Sequence, residues 1–561
     1  MVGPVSRSTT PTFLAIALTL AATTLAAATL AFAVVAAAPA AAAGPAVSPG
    51  ATPAEPPDQP VPATERAAAP GTADPAIAGG ALVTGRALPT PPVNGTVWTL
   101  AYAGGVVYAG GTFTAARPLG GGAWAARKNL AAFDAATGQL LPWAPVVTGH
   151  PVKPPPGKRP DVACNVNWAT GVQTCDTVYK LAAANGRLYA GGDFWTVNGQ
   201  PRVKLAAFSL ATGQLDAGFR PPPPGGRVRT LTAVPGVVYA GGDFTAVNGK
   251  PRQHLASFAA TTGQLYDWAP PLDKAPLSMV FAAGRLVVGG PFSRVAGLFI
   301  HGMAAVDAHR STWSRWDSRP VPLRSHITDL VTDGGSVYAA SEGSGTLDGS
   351  IAADAATGRL RWVNNCRGAT WALALHGGVL YDGSHHHDCS AVGAFPEQHF
   401  LRYFRLTAQP THPPGERPIL DYWFPTTNGG DYSLPKDHTP SRLGPRAMVM
   451  AGDCLWVGGQ FTTVNDVPQQ GITHFCPRPS PTSPPTAAAV PTVSAVPAGT
   501  WIRWESSEDI DDRVLTYQVV RDGAVVWTGK VAGVPWSHRV LSWTDPGPRG
   551  TAYRIRVSDA P

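Results

Sequence analysis

The sequence predicts an all-β fold in which most of the chain is a tandem repeat. The first observation is a recurring phrase, Tyr-Ala-Gly-Gly-Asp-Phe, at residues 189–194 and again at 239–244. Each copy is followed by Val-Asn-Gly-x-Pro-Arg, a short apolar run and a Thr-Gly turn. The second observation is the content of 62 Gly and 57 Pro in 561 residues, which indicates many tight turns and linkers. The third is that the runs between turns are β-branched, aromatic and Ala-rich, as strands are.

The Gly-Gly pair or its equivalent marks seven copies of the repeat, about 50 residues apart except at two long insertions. Its positions are Gly110, Gly191, Gly241, Gly289, Ala339, Asp382 and Gly458. Each copy holds four short β-patterned runs, which in the third copy are 228–233, 237–241, 254–258 and 264–268. Four antiparallel strands repeated seven times are the signature of a seven-bladed β-propeller, which we place at 81–476.

The repeated residues have structural explanations. Asn198-Gly199 and Asn248-Gly249 suit two-residue hairpin turns, in which both positions need positive φ. The Gly-Gly pairs are expected where inner strands crowd near the propeller axis. The aromatic residues are expected to pack between blades (Phe113, Phe194, Phe244, Phe292, Phe461) and to cover the outer blade edges (Trp143, Trp268, Trp316, Trp362, Trp423). The recurring Asp193 and Asp243, and Arg202 and Arg252, are expected to be turn and inter-blade groups rather than catalytic residues.

These motifs resemble the delta-sixty type of repeat found in secreted bacterial β-propeller proteins. The resemblance covers about residues 81–476 and is sharpest in the second and third copies. It implies a propeller fold and an exported location. That family has no established catalytic residues, so the resemblance transfers none to this chain.

The two ends of the repeat region predict how the ring closes. After Ile472 to Phe475 the seventh copy meets three prolines, so a ladder-forming fourth strand cannot follow. The segment from Ala81 to Leu88, before the first copy, has the Thr-Gly turn of a repeat end. We therefore expect this segment to cross the seam and to supply the outer strand of the seventh blade.

The N-terminal region has the features of an export signal. Arg7 precedes an apolar run from Phe13 to Ala38, and Ala41-Ala42-Ala43 is a small-residue cleavage site. We expect residues 1–43 to be a signal peptide, with an uncleaved anchor as the alternative, and residues 44–80 to be a Pro/Ala-rich disordered linker. Cleavage would leave no membrane span and a protein that is secreted or associated with the cell surface.

The six cysteines support export because they form three close pairs without the C-x-x-C spacing of zinc or redox sites. The expected disulfides are Cys164–Cys175, Cys366–Cys389 and Cys454–Cys476.

A second domain is predicted after a Pro/Ser/Thr linker at 477–489. Strand patterns around Trp501, Tyr517 and Tyr553 make residues 490–561 resemble a small fibronectin type III-like β-sandwich, incomplete at its C-terminus. Trp504 fits the core Trp of such a module, and Tyr553 fits its corner Tyr. The acidic run from Glu508 to Asp512 could bind calcium, but a solvated turn is the favoured interpretation.

Candidate site residues lie where the repeat breaks, in two insertions. In the sixth copy His385 and His387 share a strand face and could bind a metal with Asp388 or His399. A polar loop held by the Cys366–Cys389 disulfide is the favoured alternative, so no cofactor is expected beyond this possible metal. The candidate ligand contacts are Trp168, Lys158 and Arg159 in the first insertion (146–177), and His399 and Asp431 in the later one. For the first insertion a solvated, disulfide-stapled loop is the favoured alternative.

The function that we expect is non-enzymatic recognition or scaffolding by an exported monomer, with an extracellular or cell-wall polysaccharide or a surface protein as ligand. The net charge is only +7, and no run of five basic residues suggests a nucleic-acid partner. The alternative is a polysaccharide-degrading glycosidase or lyase, whose hydrolytic form needs two carboxylates about 5 to 9.5 Å apart. Its candidates are Glu342, Asp348, Glu397 and Asp431. Non-repeated carboxylates at the channel mouth would favour the enzyme, and small repeated residues there would favour binding.

Overall fold

A computed structural model describes residues 82–154, 161, 164–167, 170–314, 316–317, 321–344, 347–397, 403–413, 415, 417–430 and 443–559. All of them belong to one compact unit, Pro60–Pro561. Regular structure in this part of the chain is β-strand, apart from one 3-10 helix at Ser390–Val392, so the predicted all-β class is confirmed. None of the described segments forms a helix long and apolar enough to cross a bilayer. The predicted signal peptide and first linker lie outside the described residues.

Seven antiparallel sheets follow one another along the described chain, and we number them blades 1 to 7. From the first strand outward they are Thr96–Ala103, Val106–Thr112, Leu130–Asp134 (blade 1); Val178–Ala184, Arg187–Gly192, Leu205–Ser209 (blade 2); Val228–Val234, Val237–Gly242, Leu255–Ala259 (blade 3); Ser278–Ala282, Arg285–Gly289, Met303–Asp307 (blade 4); Ser325–Thr332, Ser336–Gly343, Ser350–Asp354, Leu360–Asn364 (blade 5); Thr370–His376, Val379–His386, Tyr403–Pro410 (blade 6); and Gly444–Ala451, Cys454–Gln460, Ile472–Phe475 (blade 7).

The blades form a closed ring, as expected for a β-propeller. The first strand of each blade contacts the first strand of the next, and that of blade 7 contacts that of blade 1. These first strands surround a central channel. The predicted fourth strand is a regular strand only in blade 5 among the described residues. In the other copies it is reduced to single bridges, such as Phe208 with Leu215 and Phe258 with Leu265.

Short ribbons connect the second and third strands. The pair Thr196–Val197 and Gln200–Pro201 turns at Asn198 and Gly199, whose φ values are 50° and 72°. This confirms the predicted two-residue hairpin. The other ribbons are Ala115–Ala116 with Ala125–Ala126, Ala246–Val247 with Lys250–Pro251, Arg294–Val295 with Leu298–Phe299, and Thr463–Val464 with Val467–Pro468. In the first insertion Val147–Thr148 joins Thr196–Val197, and Pro151–Val152, Val172–Thr174 and Asn165–Asn167 form a small sheet.

The glycine pairs lie on the second strands and not on the strands at the axis, so their predicted location was wrong. A Cβ on Gly191 would lie 2.6 Å from Val228 Cγ1 of the next blade, and one on Gly241 would lie 2.5 Å from Pro276 Cγ. The glycines are therefore required because adjacent blades meet there.

In the fifth and sixth copies the residues assigned from sequence to the glycine position, Ala339 and Asp382, each lie one residue before the position that is equivalent in the structure. Gly191 pairs with Lys180, just after a β-bulge, and the matching pairs in blades 5 and 6 are Ala340 with Asp329 and Gly383 with Ala372. A shift of one residue moves a side chain to the opposite sheet face. Asp382 therefore does not occupy the glycine position, and its carboxyl group is buried on the other face of the sheet.

Aromatic residues join the blades as predicted. Phe194 is fully buried in a cluster that also contains Leu130 and Ala132 of blade 1. The tryptophans do more than cover an edge, because the indole N–H of Trp143 donates to the carbonyl oxygen of Gly213 in the next blade at 2.8 Å. The repeated Arg252 donates to the carbonyl oxygen of Tyr266 at 2.7 Å, a contact within its own copy rather than between blades.

The seam closes as the sequence predicted. Val83 forms an antiparallel bridge with Pro477, and Leu88 forms one with His474. The Val83 side chain is buried in a cluster with Trp423 and Phe475. The N-terminal segment therefore supplies the outer pairing that the seventh copy lacks. The three predicted disulfides, Cys164–Cys175, Cys366–Cys389 and Cys454–Cys476, are also confirmed.

The C-terminal domain consists of two three-stranded sheets. One contains Thr492–Val496, Gly499–Glu505 and Val540–Asp545, and the other contains Ala524–Ala532, Val514–Arg521 and Tyr553–Asp559. Trp504 lies in the core between them, with Ile502 and Tyr517. The Tyr553 hydroxyl accepts a hydrogen bond from the Gly550 N–H at 3.2 Å. The fibronectin type III assignment remains a prediction from the sequence.

Candidate binding site at the mouth of the central channel

A recurring β-bulge defines one end of the channel. In six of the described first strands the register shifts by one residue near the start of the strand. A bulged residue has no partner in the ladder, and its side chain is re-aimed. The bulged residues are Trp98, Tyr179, Arg229, Thr328, Trp371 and Arg446. Because the repeat does not fix their identity, they form a varied surface on a uniform scaffold.

These six side chains line one cavity of about 350 Å³, which we call the channel mouth. The rest of the polar lining consists of Thr99, His326 and the charged groups of neighbouring strands and loops, which are Asp161, Lys180, Arg227, Asp329 and Glu342. The mouth therefore combines aromatic surface with charges of both signs. A concave site with a few converging polar groups is the usual form of a ligand site.

A strip of contacting planar groups runs along one side of the mouth and crosses four blades. The Tyr179 and Trp98 ring centroids are 6.3 Å apart, with the rings tilted by 52°. The Arg446 guanidinium lies 5.9 Å from the Trp98 ring and 3.8 Å from the Trp371 ring. The Trp371 ring in turn contacts the His385 ring, which lies outside the mouth, at 4.6 Å with a tilt of 46°. We refer to these five residues as the planar strip.

Among the cations that line the mouth, Arg446 has the least counter-charge. Burial lowers the pKa of Arg446 to about 9, an effect that Glu342 only partly offsets. Its Nε atom is buried and has no hydrogen-bond partner among the described residues. Since an arginine side chain stays protonated in proteins, the shift marks a cation with too little counter-charge for its burial.

The other cations of the mouth are paired. Arg227 contacts Asp161 at 2.5 Å and Asp193 at 2.7 Å. Lys180 lies 3.6 Å from Asp329. Asp161 belongs to the first insertion, so the insertion reaches the mouth, and its ion pair with Arg227 joins the loop to blade 3.

Each acidic group of the mouth has a partner. Asp329 accepts hydrogen bonds from the Ser278 hydroxyl at 3.0 Å and from the Leu373 N–H at 3.2 Å. Glu342 Oε2 accepts the indole N–H of Trp371 at 3.3 Å and lies 4.0 Å from His326 Nε2. The mouth is thus lined by non-repeated carboxylates in fixed positions and not by small repeated residues, which is the outcome expected for an enzyme rather than for a binding protein.

The sequence-derived carboxylate candidates are scattered. Glu342 lies in the mouth. Asp348 does not line the mouth, and it accepts a hydrogen bond from the Gly343 N–H at 3.1 Å. Glu397 is exposed and does not line the mouth. Asp431 lies outside the described residues.

The predicted metal ligands are only partly assembled. The His385 and His387 rings are 5.4 Å apart, as expected for alternate residues of a strand. Asp388 instead pairs with Arg367 at 3.4 Å and accepts hydrogen bonds from Ser390. Among the described residues, His385, His387 and Asp388 do not belong to any group of three metal-ligand atoms that lie within 4.8 Å of one another. Because His399 lies outside the described residues, the metal site stays a prediction.

The intervening His386 is a core residue. Its ring is buried, its Nδ1 lies 3.2 Å from Cys389 Sγ, and burial lowers its pKa to about 3. His386, Cys366 and Cys389 cluster tightly, but both sulfurs are consumed by the disulfide.

Sequence reasoning missed the planar strip apart from His385. Trp168, Lys158 and Arg159, the predicted ligand contacts, lie outside the described residues. A usable signal was the pair of variable positions between the apolar residue and the recurring Leu, as in Val97-Trp98-Thr99-Leu100 and Val178-Tyr179-Lys180-Leu181, of which the first is the bulged residue. Residues that vary inside a repeat are the ones that can carry specificity.

The fold and the mouth define a β-propeller with a side-chain-lined channel entrance, an architecture consistent with a binding or scaffold role. Residues 183–219, within blade 2 and its outer turn, match the family model described as "Domain of unknown function (DUF5122) beta-propeller". No curated protein matches the chain.

Two solved structures similar to the chain are a computationally designed protein and a fungal propeller domain. The designed protein Ika8 is 14% identical with a TM-score of 0.36, over 71% of this chain and all of that one. The Cps50 (Swd1) β-propeller domain of Myceliophteria thermophila is 10% identical with a TM-score of 0.37, over 69% of this chain and 98% of that one. At these scores the fold assignment rests on the strand pairing itself.

Proposed function

We propose that the protein is an exported recognition protein whose channel mouth binds an acidic polysaccharide. The observation that carries this proposal is the planar strip, in which planar groups contact one another in sequence across four blades. The apolar faces of sugar rings pack on aromatic side chains, so a strip of this kind fits an extended chain of sugars better than a single small molecule.

The cations in and beside the planar strip, Arg446 and Arg229, favour acidic sugars. Arg446 has an unpartnered Nε, and Arg229 beside Tyr179 is about one-third exposed and contacts only Asp243 among the carboxylates described. An arginine offers a planar fork of donors that matches a carboxylate or a phosphate. A glycan with such groups would supply the missing counter-charge.

The remaining parts of the proposal rest on other features. Three disulfides are compatible with an oxidising extracellular compartment. The signal peptide, the monomeric state and the role of the C-terminal domain as a spacer are further parts of the proposal. Binding by the propeller requires no cofactor.

The test is a titration of the purified chain with uronic acid oligosaccharides and with neutral oligosaccharides of equal length. We expect the acidic series alone to bind, and Trp371→Ala and Trp98→Ala to weaken binding at least tenfold. Trp124→Ala is the matched control, because Trp124 is 43% exposed and does not line the mouth. Equal binding of both series, or unchanged binding in the two mouth variants, would refute the proposal.

A glycosidase or lyase is the second candidate, and the carboxylates of the mouth favour it. Asp161, Asp329 and Glu342 line one cavity, and hydrolysis of a sugar chain needs two carboxylates about 5 to 9.5 Å apart. Glu342→Gln separates the candidates. Release of new sugar ends by the wild type, lost in the variant while binding persists, would establish an enzyme. Binding without release in the wild type would establish recognition.

A further inference from the structure

Three carboxylates meet at the base of the C-terminal domain. Asp509 and Asp512 lie in the loop after the strand Gly499–Glu505, and Asp559 ends the strand Tyr553–Asp559. One side-chain oxygen of each lies within 4.8 Å of the others. The sequence favoured a solvated turn here, but Asp509 is only 3% exposed, so that expectation was wrong.

Two oxygens of this cluster are buried without a partner. Asp509 Oδ1 accepts the N–H groups of Asp511 and Asp512, both at 2.9 Å, whereas Asp509 Oδ2 has no hydrogen-bond partner in the described chain. Asp559 Oδ2 accepts the Thr482 hydroxyl at 2.9 Å, whereas its Oδ1 also lacks a partner there. A buried carboxylate oxygen without a partner is costly, so each such atom needs an explanation.

A cation already contacts one of the three carboxylates. Arg478 contacts Asp512 at 3.3 Å, but the Arg478 side chain is 64% exposed, so water weakens this pair. The neighbouring Asp511 is occupied by the N–H groups of Gly85 and Ser483. A bound cation would give the unpartnered oxygens of Asp509 and Asp559 a partner.

We infer that Asp509, Asp512 and Asp559 bind a calcium ion. All three offer hard carboxylate oxygens, and the cluster contains no His or Cys, which zinc would prefer. Calcium accepts irregular sets of six to eight oxygens and can complete its coordination with water. Magnesium demands a near-ideal octahedron and fits such a set less well.

The same loop joins the C-terminal domain to the propeller. The Asp509 carbonyl oxygen accepts the Tyr422 hydroxyl at 3.0 Å, and the Ile510 carbonyl oxygen accepts the Phe424 N–H at 2.8 Å. Asp511 binds the N–H of Gly85 in the seam segment. Calcium would therefore stabilise the domain junction as well as the acidic loop.

The test is calorimetric titration of the EGTA-treated full-length chain with CaCl₂, together with its melting temperature in EGTA and in calcium. We expect one calcium ion per chain and a calcium-dependent rise in melting temperature. Asp509→Asn and Asp559→Asn should each abolish the rise. Glu505→Gln, a change of an exposed carboxylate in the same domain, should keep it.

The behaviour without calcium separates a metal ligand from a merely structural residue. Asp509→Asn keeps an oxygen that can accept the Asp511 and Asp512 N–H groups and removes a buried carboxyl oxygen without a partner, so we expect it to melt at or above the wild-type temperature in EGTA. Absence of binding at millimolar calcium, tighter binding of magnesium, or unchanged binding by both Asn variants would overturn the inference. If Asp509→Asn does not fold, Asp559→Asn alone decides.

Discussion

The backbone N–H of Thr84 donates a hydrogen bond to the carbonyl oxygen of Cys476 at 3.0 Å, across 392 residues of chain. Cys476 is also bonded to Cys454, so the closing segment pairs with a residue that a disulfide fixes to the second strand of blade 7. The propeller is closed by backbone pairing between its two ends, and the adjacent disulfide stiffens the strand that receives it.

The seam makes the propeller sensitive to a small change near its N-terminus. Val83→Ala should lower the free energy of unfolding by about 1 to 2 kcal/mol, because Val83 is 2% exposed and packs on the core of blade 7. Val490→Ala is the control, since Val490 is 93% exposed. Urea unfolding followed by Trp fluorescence measures both. Equal midpoints would show that the seam contributes little.

A side chain larger than hydrogen at the glycines of the second strands should disturb the packing between blades. Gly191→Ala places a methyl group 2.6 Å from Val228 Cγ1, so we expect about 1 to 3 kcal/mol of destabilisation from overpacking. At Gly335 a methyl group would meet no atom closer than 3.7 Å, so Gly335→Ala should be neutral or slightly stabilising. Thermal unfolding of the two variants compares them. A Gly191→Ala protein as stable as wild type would contradict the packing argument.

A buried acid should make stability depend on pH. Burial raises the pKa of Asp382 to about 8, with Ser350 and Gln409 as hydrogen-bond donors to its Oδ2. In the unfolded chain this group ionises near pH 4. The stabilisation that the protonated Asp382 side chain gives to the folded state is therefore complete below about pH 4 and is lost as the pH rises through about 8.

The variant Asp382→Asn should therefore gain stability relative to wild type between pH 5 and pH 8. Denaturant unfolding at several pH values measures the difference. Asp267→Asn, a change of a fully exposed carboxylate, should show no such trend. A difference between Asp382→Asn and wild type that does not vary with pH would argue against a protonated Asp382.

The acid selectivity of the mouth should depend on Arg446. Arg446→Gln should weaken binding of an acidic oligosaccharide at least tenfold, because it removes the uncompensated cation of the planar strip. Arg446→Lys should restore only part of the affinity, since an ammonium lacks the planar fork. Arg359→Gln, at an exposed turn, is the control. Binding that survives in Arg446→Gln would locate the acid contact elsewhere.

The repeat made much of the fold predictable. Residues 189–194 and 239–244 carry the same phrase because each must place a glycine against the next blade and a Phe between blades. The hairpin at Asn198-Gly199 follows from the φ values that those two residues accept. The one-residue error in copies five and six arose because Ala340-Ser341 and Gly383-Ser384 replace the Gly-Gly pair, so these copies lack the residues that mark the position elsewhere.

The sequence alone determined the class of fold, the strand periodicity, the turns, the disulfide pairs and the closing segment. These depend on local chemistry and on spacing, which a sequence displays directly. Only the tertiary structure decided which side chains share a site. Trp98 and Arg446 stand near opposite ends of the repeat region and meet because the ring closes. Asp509 and Asp559 lose water only when the strands around them pack. Burial and proximity are properties of the folded ring. The sequence spacing therefore could not show which side chains form the planar strip, or that Asp559 joins Asp509 and Asp512.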